Sequence, residues 1–474
     1  MLQNWFILMP ELFLLGFYII ALPVEIYHTE KTSKTFFSIA QFFILASMSS
    51  TILFYNKSAF PNIWQNTPFT TLFKTFSYLL SWAWFYLSSK WFLNKNRPSF
   101  KFYSICFAIL FLLNILASSS SLLTLSCVVP LIFIFYRLLI LRHWDIDKVR
   151  HIANTYSICS VLFCLILWCG TAIIYYYART FEYSEINKFL SSSANIPSYV
   201  LLGIYSILIC FMFIMALVPF HSWFIGFISN GVLPVCGFIT LVPPLIFLCS
   251  LIRLVTECFY PFISEIISII GLFSMLSLVV GAVSANRECN IRRLFGYISI
   301  YCTGFTLIGI LNFSDKSIIA SFAYTIISIL SFAGIYTVFL GLKSRGDYLS
   351  STTDISGFYT VRPYMSAAFL IFMFSLIGLA PTLGFFGHLS IFNNLIGISA
   401  WWRLGLVILS MLFVANACLQ IVRIIYFDKA SIKFDRTDKA IYICLFINVI
   451  FILISLINPA WLLSDALIIL GGIS

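Results

Sequence analysis

Fourteen apolar runs, parted by short polar or charged clusters, set the terms for this chain. They fall near residues 5–27, 35–55, 71–93, 102–119, 121–142, 155–178, 198–220, 232–255, 261–284, 294–313, 317–342, 365–387, 399–426 and 440–463. Each is long enough for a helix to cross the hydrocarbon of a bilayer. Only Ser118 to Ser121 separates the fourth run from the fifth, but merged they would overshoot any membrane, so two helices are expected. The polar coat of a soluble protein is missing: 9% of residues are charged and mean hydropathy is +1.01, against roughly a quarter charged in soluble domains. At about 24 residues per span, fourteen spans consume about 336 residues and leave fewer than about ten per connection. That is too little for a separate folded domain. The expected fold class is therefore an all-α polytopic membrane protein. Nucleotide-binding, iron–sulfur and soluble catalytic domains are excluded, and no glycine-rich fingerprint for NADH or ATP occurs.

The net charge of +11 would suggest nucleic acid in a soluble protein, but here the cations sit between apolar runs. Connections after odd-numbered runs and their flanks carry twenty-one of them. Only Lys57, Lys74, Arg179, Lys188, Arg253, Lys316 and Arg403 fall on the opposite side. This bias puts the odd connections inside and both termini outside. The first basic residue is Lys31, so no cleavable leader is expected and the first run reads as a true span. Thirteen cysteines lie mostly inside apolar runs without a CxxC pair, which favours small buried hydrophobes over metal or disulfide roles.

Proline within a span removes a backbone donor and breaks the helix. In a membrane this is tolerated where protein or trapped water satisfies the freed groups. Two breaks stand out. Pro219 lies in Met215-Ala-Leu-Val-Pro-Phe-His-Ser-Trp223, and Pro381 in Gly378-Leu-Ala-Pro-Thr-Leu-Gly-Phe-Phe-Gly-His388. They fall in the seventh and twelfth runs, and each precedes a histidine, His221 or His388. An offset of five spans is odd, so a repeat with that shift is inverted in the membrane, as in many ion translocators. Chance occurrence of two bundle prolines is the competing reading.

These motifs resemble a known family. Leu217-Val-Pro-Phe-His-Ser-Trp223 with Pro234-Val-Cys-Gly-Phe-Ile-Thr240, Asn290-Ile-Arg-Arg-Leu-Phe-Gly-Tyr-Ile-Ser-Ile300, and Gly378 to His388 are similar to signatures of proton-translocating antiporter-like subunits. Met9-Pro-Glu-Leu12 and Leu122-Leu-Thr-Leu125 agree best with the subunit N branch of respiratory NADH–quinone oxidoreductase, called subunit 2 in mitochondria. The resemblance implies two inverted five-helix repeats, each with a discontinuous helix. It divides the chain into N-terminal helices 1–3 (1–101), a first repeat (102–255), a second repeat (256–426), and a last loop and helix (427–474). It implies partner membrane and peripheral subunits that carry the NADH, flavin, iron–sulfur and quinone chemistry. No cofactor on this chain, no catalytic residue and no nucleic acid are implied. A bacterial inner membrane is the expected location, with a mitochondrial inner membrane as the alternative. An Mrp-type cation/proton antiporter subunit and a non-conducting structural subunit are the rival readings.

The chain departs from the family at its proton carriers. By motif alignment, Pro130 stands at the glutamate position of span 5, Ile214 at the lysine of span 7 and Pro244 at the lysine of span 8. Only His388, at the span 12 position, keeps a titratable side chain. His388 and His221 are thus the proton-path candidates, since an imidazole titrates near neutral pH. Against this, each could simply satisfy a carbonyl near its proline. Glu11, Lys74, Arg253, Glu265 and Arg403 lie toward span ends and read as solvated or interfacial anchors that can snorkel or pair. Tryptophans such as Trp82, Trp84, Trp401 and Trp402 read as interfacial belts.

Overall fold

The computed structural model describes residues 7–27, 33–57, 60, 62–95, 100–142, 146–192, 197–344, 347–348, 351–397, 399–429, 434–435 and 437–455. The end of the last apolar run (456–463) and Lys31, Arg97, Arg345, Lys433 and Arg436 of the charge count lie outside them. Helices dominate the described residues. In order they are α1 Met9–Tyr27, α2 Ser33–Leu53, α3 Pro68–Lys95, α4 Phe100–Ser118, α5 Leu122–Arg142, α6 Ile146–Ala178 and the short amphipathic α7 Tyr183–Ser192. Then come α8 Ser198–Ile214, α9 Ser222–Asn230, α10 Leu233–Leu241, α11 Pro243–Arg253, α12 Ile263–Arg287, α13 Ile291–Gly309 and α14 Asp315–Gly341. The last are α15 Phe358–Val361, α16 Pro363–Ile377, α17 Leu383–Gly397, α18 Trp401–Phe427 and α19 Lys439–Ile454. A two-residue antiparallel pairing, Lys343–Ser344 with Asp347–Tyr348, follows α14.

Eight of the described stretches are long and apolar enough to cross a membrane: Phe36–Leu53, Phe100–Ser118, Leu122–Leu141, Arg150–Ala178, Leu233–Cys258, Tyr260–Arg287, Asp315–Gly341 and Trp401–Phe427. Four shorter apolar helices accompany them, among them α8 and α16, which stop short at the two proline breaks. Large side chains such as Leu53, Ile158, Leu202 and Leu412 are exposed along these helices, where lipid rather than water is their compatible solvent.

The contacts divide the chain into two compact units. Of the described residues, the first comprises those up to 215 and those within 230–269, the second those within 216–229 and from 270 on. In the first, α1 packs on α2 and α4, α6 on α5 and α8, and α11 on α3 and α4. The α6–α8 crossing is set by glycine: a Cβ on Gly170 would meet the Gly203 carbonyl oxygen at 2.7 Å, and one on Gly203 would meet Gly170's at 3.2 Å. Small residues let backbones approach closely where lipid supplies no hydrophobic drive. In the second unit α14 is the hub, touching α13, α16, α17 and α19. Gly281 and Gly304 let α12 and α13 approach closely: a Cβ on each would meet the Tyr297 and Ser274 carbonyl oxygens at 2.9 and 2.8 Å.

Most buried hydroxyls bond within their own helix. Ser77, Ser81, Ser250, Thr306 and Ser321 donate to carbonyls three or four residues back, at 2.7, 2.7, 2.6, 3.0 and 2.9 Å. This satisfies the hydroxyl without needing a neighbouring helix.

Candidate functional site

The first break follows α8. Met215 closes that helix, Ala216 takes a left-handed φ of +56°, and the Val218–Pro219 peptide is cis. The Val218 amide donates to Ser277 Oγ on α12 at 3.0 Å, which satisfies a backbone donor that the break sets loose. The chain re-enters helix at His221, whose carbonyl accepts from Phe224 and Ile225 at 3.1 and 3.2 Å. The His221 ring is half-buried, 6.1 Å from the Tyr297 ring, and its Nδ1 has no hydrogen-bond partner.

The second break is built alike in its chemistry. Gly378 ends α16 at φ +83° and its amide donates to the Phe374 and Ser375 carbonyls at 3.0 and 3.2 Å. The Ala380–Pro381 peptide is cis, and α17 starts at Leu383. The glycines of the motif are there for space: a Cβ on Gly378 would meet the His388 ring at 2.5 Å, and one on Gly384 would run into the Ser375 carbonyl. His388 is 2% exposed and lies 4.7 Å from the Phe305 ring and 5.1 Å from the Tyr324 ring. Its Nδ1 is 2.9 Å from the Gly384 carbonyl oxygen. A carbonyl only accepts, so Nδ1 carries the hydrogen in the neutral ring. Nε2 is then a buried lone pair, and it has no partner. The acceptor is a carbonyl of His388's own helix, not the one that Pro381 deprives of a donor.

The positions without a carrier are structurally distinct. Pro130 lies inside α5 and Ile214 is buried at the end of α8. Pro243 and Pro244 start α11, and Val242 before them ends α10, so the helix is broken where the family's lysine is expected. The PVxxF motif is used for packing. Pro234 accepts a 2.7 Å bond from Trp84 Nε1, and the indole lies directly against Gly237. Trp84 is buried and part of the core, which corrects its reading as an interfacial residue; Trp401 and Trp402 are over three-fifths exposed. In the third signature, Asn290 caps α13, its Oδ1 accepting from the Arg292 and Arg293 amides at 3.0 and 3.3 Å.

Sequence reasoning placed Lys74, Glu11 and Arg253 in contact with solvent or interface. The structure buries them in the first unit, and their pairing, the lesser option, is what holds. Lys74 Nζ donates to Glu11 Oε1 at 2.6 Å, with the lysine fully buried and Glu11 3% exposed. Lys74 also lies over the Trp64 ring at 4.9 Å. Arg253 grips Glu257 with Nε and Nη2 at 2.7 and 2.8 Å and donates Nη1 to the Ala117 carbonyl at 2.8 Å. The i,i+4 spacing of Arg253 and Glu257 was readable, but α11 runs into a π turn at Leu254–Cys258 that brings the two together. Lys74 and Glu11 stand 63 residues apart, so no local pattern joins them. Glu265 and Arg403 remain half-exposed, as expected of anchors. Among the described residues no group of His, Cys, Asp and Glu could hold a metal.

This arrangement has known counterparts. The chain is 25% identical to NADH-quinone oxidoreductase subunit N of Thioalkalivibrio sulfidiphilus over 96% of both chains. It is 28% identical to the Rhodospirillum rubrum subunit N over 280 residues, spanning 58% of that protein. Among solved structures it superposes on a chain of respiratory complex I from Thermus thermophilus with a TM-score of 0.79 at 19% identity, covering 96% of this chain and 99% of that one. A chain of the Mrp complex from Dietzia sp. DQ12-45-1b gives 0.85 at 14% identity, covering 100% and 98%. The family model described as NADH:quinone oxidoreductase/Mrp antiporter, TM, matches residues 119–413, and so takes in both breaks and the Asn290 cap. With more than half its length under that model, the chain belongs to the NADH:quinone oxidoreductase/Mrp antiporter transmembrane family.

Proposed function

We propose that the chain is a membrane-arm subunit of a proton-translocating NADH–quinone oxidoreductase. It acts beside subunits that hold the NADH, flavin, iron–sulfur and quinone sites, and has no catalytic centre of its own. The observation that carries this reading is end-to-end likeness to a subunit N, with two proline-broken helices each leading to a histidine. In this reading fourteen spans cross a bacterial inner membrane with both termini outside, and helices 4–8 (102–255) and 9–13 (256–426) form inverted repeats. His388 is the principal proton carrier: its buried Nε2 can accept a proton, and the surrounding aromatics exclude bulk water. His221 is the second. Pro130, Ile214 and Pro244 leave the path with fewer carriers than its relatives.

Affinity purification from native membranes tests the assignment, which expects flavin- and iron–sulfur-containing subunits to co-purify. Recovery of cation/proton antiporter subunits instead would turn the assignment to the Mrp type, a reading supported by the fold match to an Mrp chain at a TM-score of 0.85 against 0.79 for the complex I chain. In the purified complex, His388→Ala should lower the protons moved per electron while quinone reduction and assembly persist. An unchanged ratio in the His221→Ala/His388→Ala double variant makes the subunit structural.

A further inference from the structure

We propose that Glu11 and Lys74 form a further proton-binding site, in the first unit, opening to solvent on the side of Glu257, which Arg253 holds in place; the inference rests on the proton-translocating reading above. None of these four stands at a carrier position of the motif alignment.

The geometry supports more than a packing lock. Glu11 and Lys74 come from α1 and α3, and Arg253 from α11, which packs on α3. Lys74 and Arg253 lie within electrostatic reach of each other, as do Lys74 and Cys249, and Glu11 and Tyr78. Glu257 is the outlet, its side chain 31% exposed while that of Arg253 is 3%. Tyr183 and Cys249 lie in range of both Arg253 and Glu257, and Cys258 in range of Glu257. Two cations and two anions thus balance in an apolar interior, where an unpaired charge would be strongly penalised. One acceptor is left over. Glu11 Oε2 and the Tyr78 hydroxyl are both buried and both lack a hydrogen-bond partner.

An open carboxylate oxygen beside a lysine gives the pair two states of equal net charge. A proton moving from Lys74 Nζ to Glu11 turns ammonium and carboxylate into amine and carboxylic acid. The amine can take a proton delivered from the Glu257 side, and the pair becomes a net cation that repels Arg253. Arg253 stays protonated and acts as a positioning residue, holding Glu257 at the outlet. A static salt bridge would require the same charges but would leave no reason for the free oxygen.

Lys74→Arg distinguishes the two roles, because arginine keeps the ion pair but does not release its proton. In proteoliposomes of the purified complex, the expected result is loss of proton transfer per electron with quinone reduction and subunit content retained. Wild-type pumping in Lys74→Arg overturns the proposal and leaves the membrane-arm assignment intact. That assignment falls separately if the chain is not recovered with redox subunits. Infrared difference spectra of the wild-type complex during turnover give a reading independent of variant folding. A carboxylic-acid C=O band that disappears in Glu11→Gln supports the site; absence of any such band in the wild type overturns it.

Discussion

Gly378 meets two demands at one Cα, a left-handed backbone and room for an imidazole. Gly378→Ala should therefore cost about 1–3 kcal/mol, from conformational strain and overpacking together. The check is a denaturant midpoint of the purified protein, together with altered chemical shifts for the His388 ring. Trp84→Phe removes the donor to Pro234 but keeps most of the packing, and should cost about 1–2 kcal/mol by the same measurement. Gly378 and Pro234 were visible in the sequence as motif letters. What they face was not, because Trp84 lies 150 residues from its acceptor. The same distance problem hid the Glu11–Lys74 pair. Toward the ends of apolar runs a charge is cheapest when it snorkels, so sequence reasoning chose the anchor; only the packing of α1 on its neighbours takes Glu11 away from the interface. At residue scale, then, the letters were legible and the partners were not.

Helices were read more securely, since apolar run length is a one-dimensional signal. Every described helix longer than eighteen residues overlaps one of the fourteen runs. The differences arise at helix ends and have physical causes. α6 starts at Ile146, well before the run that begins near 155, because a helix can continue through a charged flank once it leaves hydrocarbon. The run at 232–255 is two helices meeting at Val242, where Pro243 and Pro244 each lack the amide that would bond the preceding turn. α13 owes its start to a single side chain. Asn290→Ala should cost about 1 kcal/mol, since two first-turn amides lose their acceptor; an unchanged midpoint would show that water replaces the cap. Arg253→Leu is expected to cost about 1–3 kcal/mol, because the buried Ala117 carbonyl loses its donor and the partly exposed Glu257 loses its cation. Restoring most of that loss with a second change, Glu257→Gln, would identify the penalty as uncompensated charge.

For the molecule as a whole, the distribution of cations made the strongest forecast, and it can be checked with a thiol. Cys289 is exposed in the connection between α12 and α13, which lies inside in the proposed orientation. A membrane-impermeant maleimide should label it in inside-out vesicles and spare it in right-side-out ones; the reverse pattern would invert the proposed orientation. Fold class was legible because lipid makes one demand on the entire chain. The division into two units was not, because residues 216–229 join the second unit although the chain around them, up to 215 and from 230, belongs to the first. A last consequence comes from hydroxyls that satisfy themselves inside their own rods. Among the described residues most buried Ser and Thr hydroxyls spend their bonds inside their own helix, so fit of surfaces does much of the holding within each unit. One helix can turn or slide slightly past another with those hydroxyl bonds intact, and such contacts behave as a lubricated joint more than a riveted frame.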